Sequence, residues 1–300
     1  MITLKQMHHA LSVERNLHFR KAAEECNISQ SALSASLLEM EKQLGFQLFE
    51  RDNRKVLITR LGREVLDRIR LIETQVDDLK RLIGSNATPL SGNLCIGVIP
   101  TIGPYLLPKV LPALQEEYPD LRLEIIEDQS AELLEMLRRG STDAAIIALP
   151  YLTEGFLNFQ FWQENLHWLI HKDLVSNSLR KAERATIAKF QLMLLKDGHC
   201  LKDHALFACK LKSHSSHSFS ATSLPTLVQL VKSKMGSTLV PDIALSQLVN
   251  EKSDLKAVPL SEPGPHRELV ITIRPNYPGL PSIEALVKLF KKELKKIYKA

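Results

Sequence analysis

Cys200 lies in a short segment whose residue types suit thiol redox chemistry. An Asp-Gly pair just before it predicts a turn, and residues 201–209 can form a helix, which places Cys200 at a helix start. Helix N-terminal dipoles and nearby cations stabilise the thiolate, which peroxide oxidises to a sulfenic acid. His199 and Lys202 are candidate cations, and a neutral His199 would instead orient peroxide through a hydrogen bond. A second thiol can condense with a sulfenic acid to form a disulfide.

Metal binding is a weaker interpretation of the same segment. No paired C-x-x-C motif is present, so we predict neither a metal nor a cofactor. Cys26 and Cys95 lie on apolar faces and are predicted to pack in cores. The side chains in this segment that could act as metal ligands are His199, Cys200, His204 and Cys209.

The composition excludes several classes of protein. The chain has 300 residues, of which 44% are hydrophobic and 24% charged, and this is typical of globular domains rather than disordered or fibrous chains. Four scattered cysteines do not make a disulfide scaffold, and no apolar run approaches the roughly 18 residues of a membrane span. The polar segment from Met1 to Leu11 is unlike a secretory signal, so we expect a cytoplasmic protein with reduced thiols and no membrane partner.

The net charge of +5 does not identify a partner. Most of the excess comes from six lysines between Glu284 and Ala300, where apolar residues at helical spacing predict an amphipathic closing helix. A solvated lysine face is favoured over a nucleic-acid patch for this segment.

Residues 1–58 predict a winged helix-turn-helix. After two short helical stretches and a turn, Ser29 is a suitable N-cap for a third helix, whose apolar residues recur at steps of four, three and four until Gly45. Two short apolar runs, residues 47–50 and 56–58, then bracket a basic tip and predict a hairpin.

Side chains at the start of the third helix and at the hairpin tip suit DNA. Short polar groups can read base edges in a major groove, and basic groups can reach phosphates or the minor groove. The alternative is a three-helix protein-interaction module, which the basic tip and the dimer seam described next disfavour. We therefore predict double-stranded promoter DNA as a partner. The candidate DNA-binding residues are Gln30, Ser31, Ser34, Arg51, Asn53, Arg54 and Lys55.

A long helix is predicted from Thr59 to Gly84. Its apolar residues are spaced alternately by four and three, which is typical of a coiled-coil seam in a helix about 37 Å long. The stripe could pack on its own chain, but a dimer seam is the better interpretation. Residues 84–89 then predict a cap and a flexible linker. The predicted seam consists of Val65, Ile69, Ile72, Val76, Leu79 and Ile83.

From Ser91 onward strands and helices alternate, which predicts parallel sheets covered by helices in two subdomains with a cleft between them. The predicted fold class is α+β multidomain, with an N-terminal winged helix-turn-helix, a long linker helix and a C-terminal two-subdomain α/β effector domain. The predicted boundaries are 1–58, 59–90 and 91–300. Subdomain I would take about 91–162 and 268–300, and subdomain II about 163–267.

Four segments of the N-terminal region resemble the LysR-type transcriptional regulators. The resemblance covers the whole chain, because that family joins such a domain through a linker helix to a two-lobed effector domain similar to periplasmic binding proteins. Ser31 stands where many members have proline. Together with the seam, the two-lobed domain implies a homodimer or a homotetramer, with RNA polymerase as a further candidate partner. The four segments are Phe19–Ala23, Ile28–Ser34, Leu38–Gly45 and Leu48–Arg51.

Three segments of the C-terminal region resemble the hydrogen-peroxide-sensing branch of that family. They are 97–108, 195–209 and 221–224. The resemblance implies that hydrogen peroxide oxidises Cys200 as the peroxidatic thiol and that Cys209, the resolving thiol, then captures it in a disulfide. The side chains that it places around the thiol are Thr101, Ser130, His199, Lys202 and Asp203.

The chain departs from that branch at two places. Lys202 replaces an arginine that usually follows the first cysteine by two residues. Ser130-Ala131 replaces a threonine-histidine pair, so that the hydroxyl is kept and the histidine is lost.

A disulfide between Cys200 and Cys209 is incompatible with a continuous helix between them. Nine helical steps turn the side chains to opposite sides and separate the Cα atoms by about 13.5 Å, whereas a disulfide tolerates roughly 4.4–6.8 Å. Oxidation is therefore expected to melt or rebuild residues 201–209. Leu206 and Phe207 are expected to be packed in the reduced form and displaced in the oxidised form.

Two other functions remain open. A LysR-type regulator could bind a small metabolite in the cleft, with the cysteines incidental, or the chain could be a thiol peroxidase. A peroxidase has no use for a basic wing and a coiled-coil seam, so we predict a redox-responsive regulator and not an enzyme.

Overall fold

The computed structural model describes residues 1–52, 55–84, 89–209, 220–249 and 253–298. The chain divides into two compact units, the first being Met1–Asn86 with Arg138–Gly140 and the second Ala87–Leu137 with Ser141–Ala300.

The first unit begins with three helices, α1 (Leu4–Asn16), α2 (Phe19–Glu25) and α3 (Gln30–Leu44). The Ser29 hydroxyl accepts the amide hydrogen of Ala32 and caps α3. Gly45 ends the helix at a φ of 80°, in the left-handed region that glycine adopts without steric cost. The predicted start and end of this helix are confirmed.

A two-stranded wing follows α3. Strand β1 (Phe49–Asp52) pairs antiparallel with β2 (Lys55–Ile58). The buried carboxylate of Glu41 accepts the amide hydrogens of Leu48 and Phe49, which fastens the start of the wing to α3. The prediction of a winged helix-turn-helix is confirmed.

The long helix α4 (Arg60–Gly84) is present. One part of its apolar stripe packs on its own chain, and another part is exposed. Ile69 is buried in the winged-domain core of its own chain, and Val65 packs against that core, so the prediction that both belong to an intermolecular seam is wrong. The apolar residues near the start of α4 complete a small domain that cannot close its core with three short helices alone. Ile72 and Leu79 are 39% and 59% exposed.

Val76 is half-buried, and the side chain of Ile83 lies outside the described residues. The exposed apolar stripe of α4 therefore begins near Ile72 and does not extend back to Val65.

The second unit contains two lobes. The first lobe opens with β3 (Gly92–Val98), α5 (Gly103–Glu117), β4 (Leu121–Glu127), α6 (Ser130–Arg139), β5 (Ala144–Leu149) and β6 (Leu157–Glu164). The second lobe holds β7 (Leu166–His171), α7 (Arg184–Ile187), β8 (Leu194–Leu195), α8 (Cys200–Ala208), β9 (Ser220–Ala221), α9 (Leu224–Lys232), β10 (Thr238–Pro241), α10 (Asp242–Leu248) and β11 (Leu255–Pro259). The chain then returns to the first lobe in β12 (Arg267–Ile273) and α11 (Leu280–Tyr298).

Strand direction corrects the expectation of purely parallel sheets. In the first lobe the order is β4-β3-β5-β12-β6, and β12 runs antiparallel to both of its neighbours. The chain reaches β12 after it has passed through the second lobe, and β12 then runs through the first-lobe sheet in the opposite direction. The sheet of the second lobe, β10-β7-β11, is antiparallel, whereas the short pair β8-β9 is parallel. The two-lobed α/β architecture itself is confirmed.

Within the described residues, every helix is too short or too polar to span a lipid bilayer.

Candidate functional site

Cys200 is the first residue of α8, directly after His199 at the N-cap position. The prediction that it lies at a helix start is confirmed. Cys209 follows the last residue of α8, and each of the two side chains is 3% exposed. Both cysteines are free thiols. Because one continuous helix separates them, their Cα atoms are about 13.5 Å apart, too far for a disulfide in this conformation.

A narrow cleft lies beside Cys200. It is formed where the parallel strands β3 and β4 end and where the chain enters α8, an edge at which open α/β sheets commonly bind ligands. Of the predicted site residues, the structure brings Thr101, Ser130, His199 and Cys200 together there. The other lining residues are Ile99, Pro100, Gln129 and Gly198.

Lys202 and Asp203 are not part of this lining. Lys202 turns to the surface, where its ammonium group lies 2.5 Å from the carboxylate of Asp197. Asp203 is exposed. A residue two positions along a helix points about 200° away from the first, which explains why Lys202 does not face the Cys200 thiol.

The cation beside Cys200 is Arg267, at the start of β12. Its side chain is fully buried and donates from Nε to Glu164 Oε1 at 2.6 Å. Its two terminal nitrogens donate to the hydroxyl and the carbonyl oxygen of Thr101, both at 3.2 Å. Glu164 in turn accepts the amide hydrogen of Ile243 at 2.8 Å. A buried ion pair thus holds the guanidinium against Thr101, which lines the cleft.

Opposing influences set the acidity of the Cys200 thiol. Burial raises its pKa above the ordinary value, and the charge of Asp203 acts in the same direction. Arg267, the neighbouring hydroxyl of Ser130 and the amide hydrogen of Leu201 lower the pKa by stabilising the thiolate. The site therefore protects a resting thiol while keeping the groups that favour its ionised form close by.

Ser130 and His199 supply hydrogen-bonding capacity rather than charge. Ser130 Oγ is buried and makes no hydrogen bond to the described part of the chain, so it is available to a thiolate or to a small polar ligand in the cleft. Burial lowers the pKa of His199, which favours the neutral imidazole. Of the two roles predicted for His199, the hydrogen-bonding role fits this geometry.

Sequence reasoning missed Arg267 and Glu164. The available signal was a charged residue at the end of β6 and another at the start of β12, a pattern that surface positions share. Their pairing depends on the antiparallel register of β12 and β6, in which Arg267 lies opposite Glu164. The structure describes no group of three or more metal-ligating side chains, within the residues that it covers.

The predicted DNA-contacting side chains lie on two separate elements of the first unit. Gln30 and Ser31 are exposed at the start of α3, and Ser34 is half-buried one turn later. Lys55 is exposed at the start of β2. Asn53, Arg54 and the side chain of Arg51 lie outside the described residues.

Two other expectations need correction. Cys26 and Cys95 are both half-buried; Cys26 packs against the core of the winged domain as predicted, whereas Cys95 is not among the described core residues. Phe207, expected to be packed, is 77% exposed, whereas Leu206 is buried.

Comparison with known proteins identifies the family. Residues 4–63 match the bacterial regulatory helix-turn-helix protein of the lysR family, and residues 87–295 match the LysR substrate binding domain. The chain is 34% identical to the HTH-type transcriptional regulator EstR of Acinetobacter baylyi, with 97% of this chain and 96% of the relative covered.

It is 33% identical to the DNA-binding transcriptional dual regulator OxyR of Escherichia coli, with 92% and 91% covered. It is also 33% identical to a hydrogen peroxide-inducible genes activator of Haemophilus influenzae, with 99% and 98% covered. Among solved structures, a full-length OxyR variant from Pseudomonas aeruginosa matches with a TM-score of 0.79 and 28% identity, covering 97% of this chain and 95% of that one. The chain belongs to the LysR family of bacterial transcriptional regulators.

Proposed function

We propose that this regulator responds to hydrogen peroxide through Cys200 and Cys209 and transmits the change to promoter DNA. The observation that carries the proposal is the placement of a buried Cys200 thiol at a helix start, in contact with a narrow cleft and near the buried Arg267 cation. The names of several relatives, which describe hydrogen peroxide-inducible gene activators, support the same assignment.

The chemistry takes place in two steps. The Cys200 thiolate attacks one oxygen of hydrogen peroxide, the O–O bond breaks, and a sulfenic acid forms while the departing hydroxide takes up a proton to become water. The Cys209 thiol then condenses with the sulfenic acid, forming the S–S bond and releasing a second water. One peroxide is reduced to two waters as two thiols are oxidised to one disulfide.

Each group around the cleft has a distinct role in the first step. Arg267 stabilises the negative charge on sulfur, and Thr101, held by Arg267, offers its hydroxyl to the bound peroxide. Ser130 supplies the second hydroxyl, and neutral His199 orients the peroxide by a hydrogen bond. We leave Lys202 and Asp203 out of this set because neither lines the cleft.

The second step requires α8 to change. With Cys200 and Cys209 at opposite ends of the helix, the disulfide forms only after the helix between them unwinds or rebuilds. That rearrangement pulls Leu206 out of the core, because Leu206 is buried against it in the reduced form. Loss of this packing changes the surface of the second lobe and, through it, the way in which copies of the regulator assemble on DNA.

Assembly is proposed to pair two copies along the exposed part of α4. Ile72 and Leu79 present apolar surface there, which a second α4 would cover. Two winged domains brought together in this way would read two half-sites of one promoter, and a tetramer would join two such dimers.

Metabolite sensing is the competing proposal, and the size of the cleft weighs against it. Pockets for drug-sized ligands have volumes of roughly 300–1,000 Å³. The cleft beside Cys200 leaves essentially no space for a water-sized sphere in this conformation, so a metabolite would need a much larger opening than peroxide would.

Thiol counting on the full-length protein tests the proposal. After stoichiometric peroxide, we expect two free thiols per chain to disappear and mass spectrometry to locate one Cys200–Cys209 disulfide, together with a change in promoter binding. The Cys200→Ser protein should show neither change. A wild-type protein that keeps all its thiols, or a Cys200→Ser protein that still responds to peroxide on DNA, would overturn the proposal and favour a metabolite signal.

A further inference from the structure

His204 occupies the buried face of α8, one helical turn after Cys200. Residues four apart on a helix lie above one another on the same face, so both side chains point into the second unit. His204 is 1% exposed, and its Nε2 lies 3.0 Å from the carbonyl oxygen of Pro150. Because a carbonyl oxygen only accepts, Nε2 carries the hydrogen and Nδ1 is left as the bare acceptor.

The surroundings of His204 oppose a second proton. Nδ1 is buried and has no partner in the described part of the chain. Arg267 of β12 is the charged group facing it from another element, Tyr151 lies beside Pro150, and Cys200 and Asp203 are its titratable neighbours on α8. Burial and the Arg267 charge lower the pKa of His204 to about 4. In the reduced protein His204 is therefore neutral throughout the neutral and mildly acidic range.

The disulfide changes this environment. His204 lies inside the nine-residue segment that must unwind before Cys200 and Cys209 can meet. Unwinding breaks the hydrogen bond to Pro150, moves the imidazole away from Arg267 and opens Nδ1 to water. A solvated histidine has an ordinary pKa of about 6.5.

We infer that His204 couples the redox switch to pH, because the oxidised form binds a proton at His204 that the reduced form excludes. The inference rests on the proposed disulfide between Cys200 and Cys209. The sign follows from linkage: as pH falls below the pKa of the solvated imidazole, the conformation with exposed His204 gains a proton and is stabilised relative to the one in which it is buried. Relative to the same chain without a titrating imidazole at this position, mild acid thus shifts the equilibrium towards the oxidised, rebuilt conformation and makes the disulfide harder to reduce.

The size of the effect follows from the two pKa values. The pKa of His204 is about 4 in the reduced form and about 6.5 in the oxidised form. Proton binding at His204 therefore raises the equilibrium constant for the oxidised form roughly tenfold between about pH 7.5 and about pH 5.5. For a two-electron couple, a tenfold change corresponds to about 30 mV in reduction potential.

The matched control is His204→Gln. The glutamine side chain places its amide nitrogen near the position of Nε2, so it can keep the hydrogen bond to Pro150, and it does not titrate. Cys200, Cys209 and the neighbouring His199 are the same in both proteins. The ratio of the two equilibrium constants therefore isolates the proton bound at His204.

The experiment equilibrates full-length wild-type and His204→Gln proteins with dithiol/disulfide buffers across this pH range. Disulfide is quantified by thiol trapping and mass spectrometry. We expect the wild-type preference for the disulfide, divided by that of His204→Gln, to rise roughly tenfold from about pH 7.5 to about pH 5.5. A ratio that is constant with pH overturns the inference while leaving the proposed function intact. A wild-type protein that forms no Cys200–Cys209 disulfide at any pH overturns both.

Discussion

The two ends of α8 place two equally buried cysteines in opposite electrostatic settings. Cys200 occupies the N-terminal end, where the backbone dipole favours negative charge, and it has Arg267 and Ser130 beside it. Cys209 occupies the C-terminal end, where the dipole disfavours a thiolate. Burial and the charge of Glu262 raise the pKa of Cys209 to about 11, against a smaller opposing effect of Arg184. One helix thus separates a thiol that can be activated from one that stays inert until the helix changes.

This difference accounts for the proposed order of the two oxidation steps. Burial raises the pKa of both thiols, but Cys200 has the stronger set of thiolate-stabilising groups and a cleft beside it, so we propose that Cys209 reacts only when a sulfenic acid is brought to it. Cys200 combines burial with specific stabilisation of the thiolate and is therefore the residue that we propose peroxide oxidises first. If the comparison is correct, changes at the two ends of α8 have separable consequences.

The largest expected effect comes from removing either sulfur. Cys200→Ser should abolish peroxide-dependent oxidation, whereas Cys209→Ser should accumulate a sulfenic acid at Cys200 that a dimedone probe traps. The physical reason is that Arg267, Ser130 and the amide hydrogen of Leu201 stabilise the Cys200 thiolate, whereas Cys209 has the smaller effect of Arg184. Labelling followed by mass spectrometry distinguishes the two variants. If the Cys200→Ser protein formed as much sulfenic acid at Cys209 as the Cys209→Ser protein forms at Cys200, the two ends of α8 would not differ in reactivity towards peroxide.

The next largest effect concerns the buried cation. Replacing Arg267 with Met together with Glu164→Gln removes the cation without leaving a buried carboxylate unpaired. A cation beside a thiolate lowers its pKa by about 1–3 units, so the double variant should oxidise at least about tenfold more slowly at neutral pH. Its rate should also begin to rise at a higher pH than in the wild type, because the Cys200 pKa is higher.

Glu164→Gln alone is the matched control for this variant. It keeps the Arg267 guanidinium and its bonds to Thr101, so it should not slow the reaction. Stopped-flow oxidation across a range of pH gives both rates. Identical pH profiles for the double variant and the wild type would show that Arg267 does not act on the thiol.

A smaller effect is expected at Ser130. Ser130→Ala deletes a hydroxyl that lowers the Cys200 pKa and that is available to peroxide in the cleft. A single hydrogen bond to a charged group contributes about 1.5–3 kcal/mol, so the rate of sulfenic acid formation should fall roughly tenfold or more but remain measurable. Ser130→Thr retains the hydroxyl and should stay close to the wild type. Equal rates for the alanine and threonine variants would contradict a role for this oxygen.

The parts of the molecule that sequence predicted correctly depend on local signals. The Ser29 cap, the Gly45 helix end and the position of Cys200 at a helix start each follow from a few adjacent residues. The cation was misassigned for the same reason: Lys202 is a neighbour in sequence, but helix geometry turns it away from Cys200. Arg267 reaches the site only through long-range strand pairing, which single-sequence patterns do not specify.

The α4 seam and Phe207 show a second limit of periodicity. The regular spacing of Ile69 and Ile72 predicts one continuous stripe but not which protein surface covers each part of it. Ile69 is covered by its own winged domain, and Ile72 is not. In the same way, Phe207 lies seven positions after Cys200, on the face that helical spacing predicts to be buried, yet it is exposed. Periodicity gives the direction of a side chain, but it does not say whether another part of the protein covers that side chain.

The smallest expected effect on the peroxide response comes from this last turn of α8 and concerns only the second chemical step. Leu206→Ala removes buried packing, which typically costs about 2–5 kcal/mol of stability. This loss should mainly destabilise α8 in its packed position. Sulfenic acid formation should stay unchanged, while condensation with Cys209 should become severalfold faster, because the helix must leave its packed position for the disulfide to form. Phe207→Ser is the control: at 77% exposure it should change stability by less than about 0.5 kcal/mol and leave both steps at wild-type rates. Quenched-flow separation of the two steps checks this, and slower condensation in Leu206→Ala would mean that the packed helix assists the disulfide rather than opposing it.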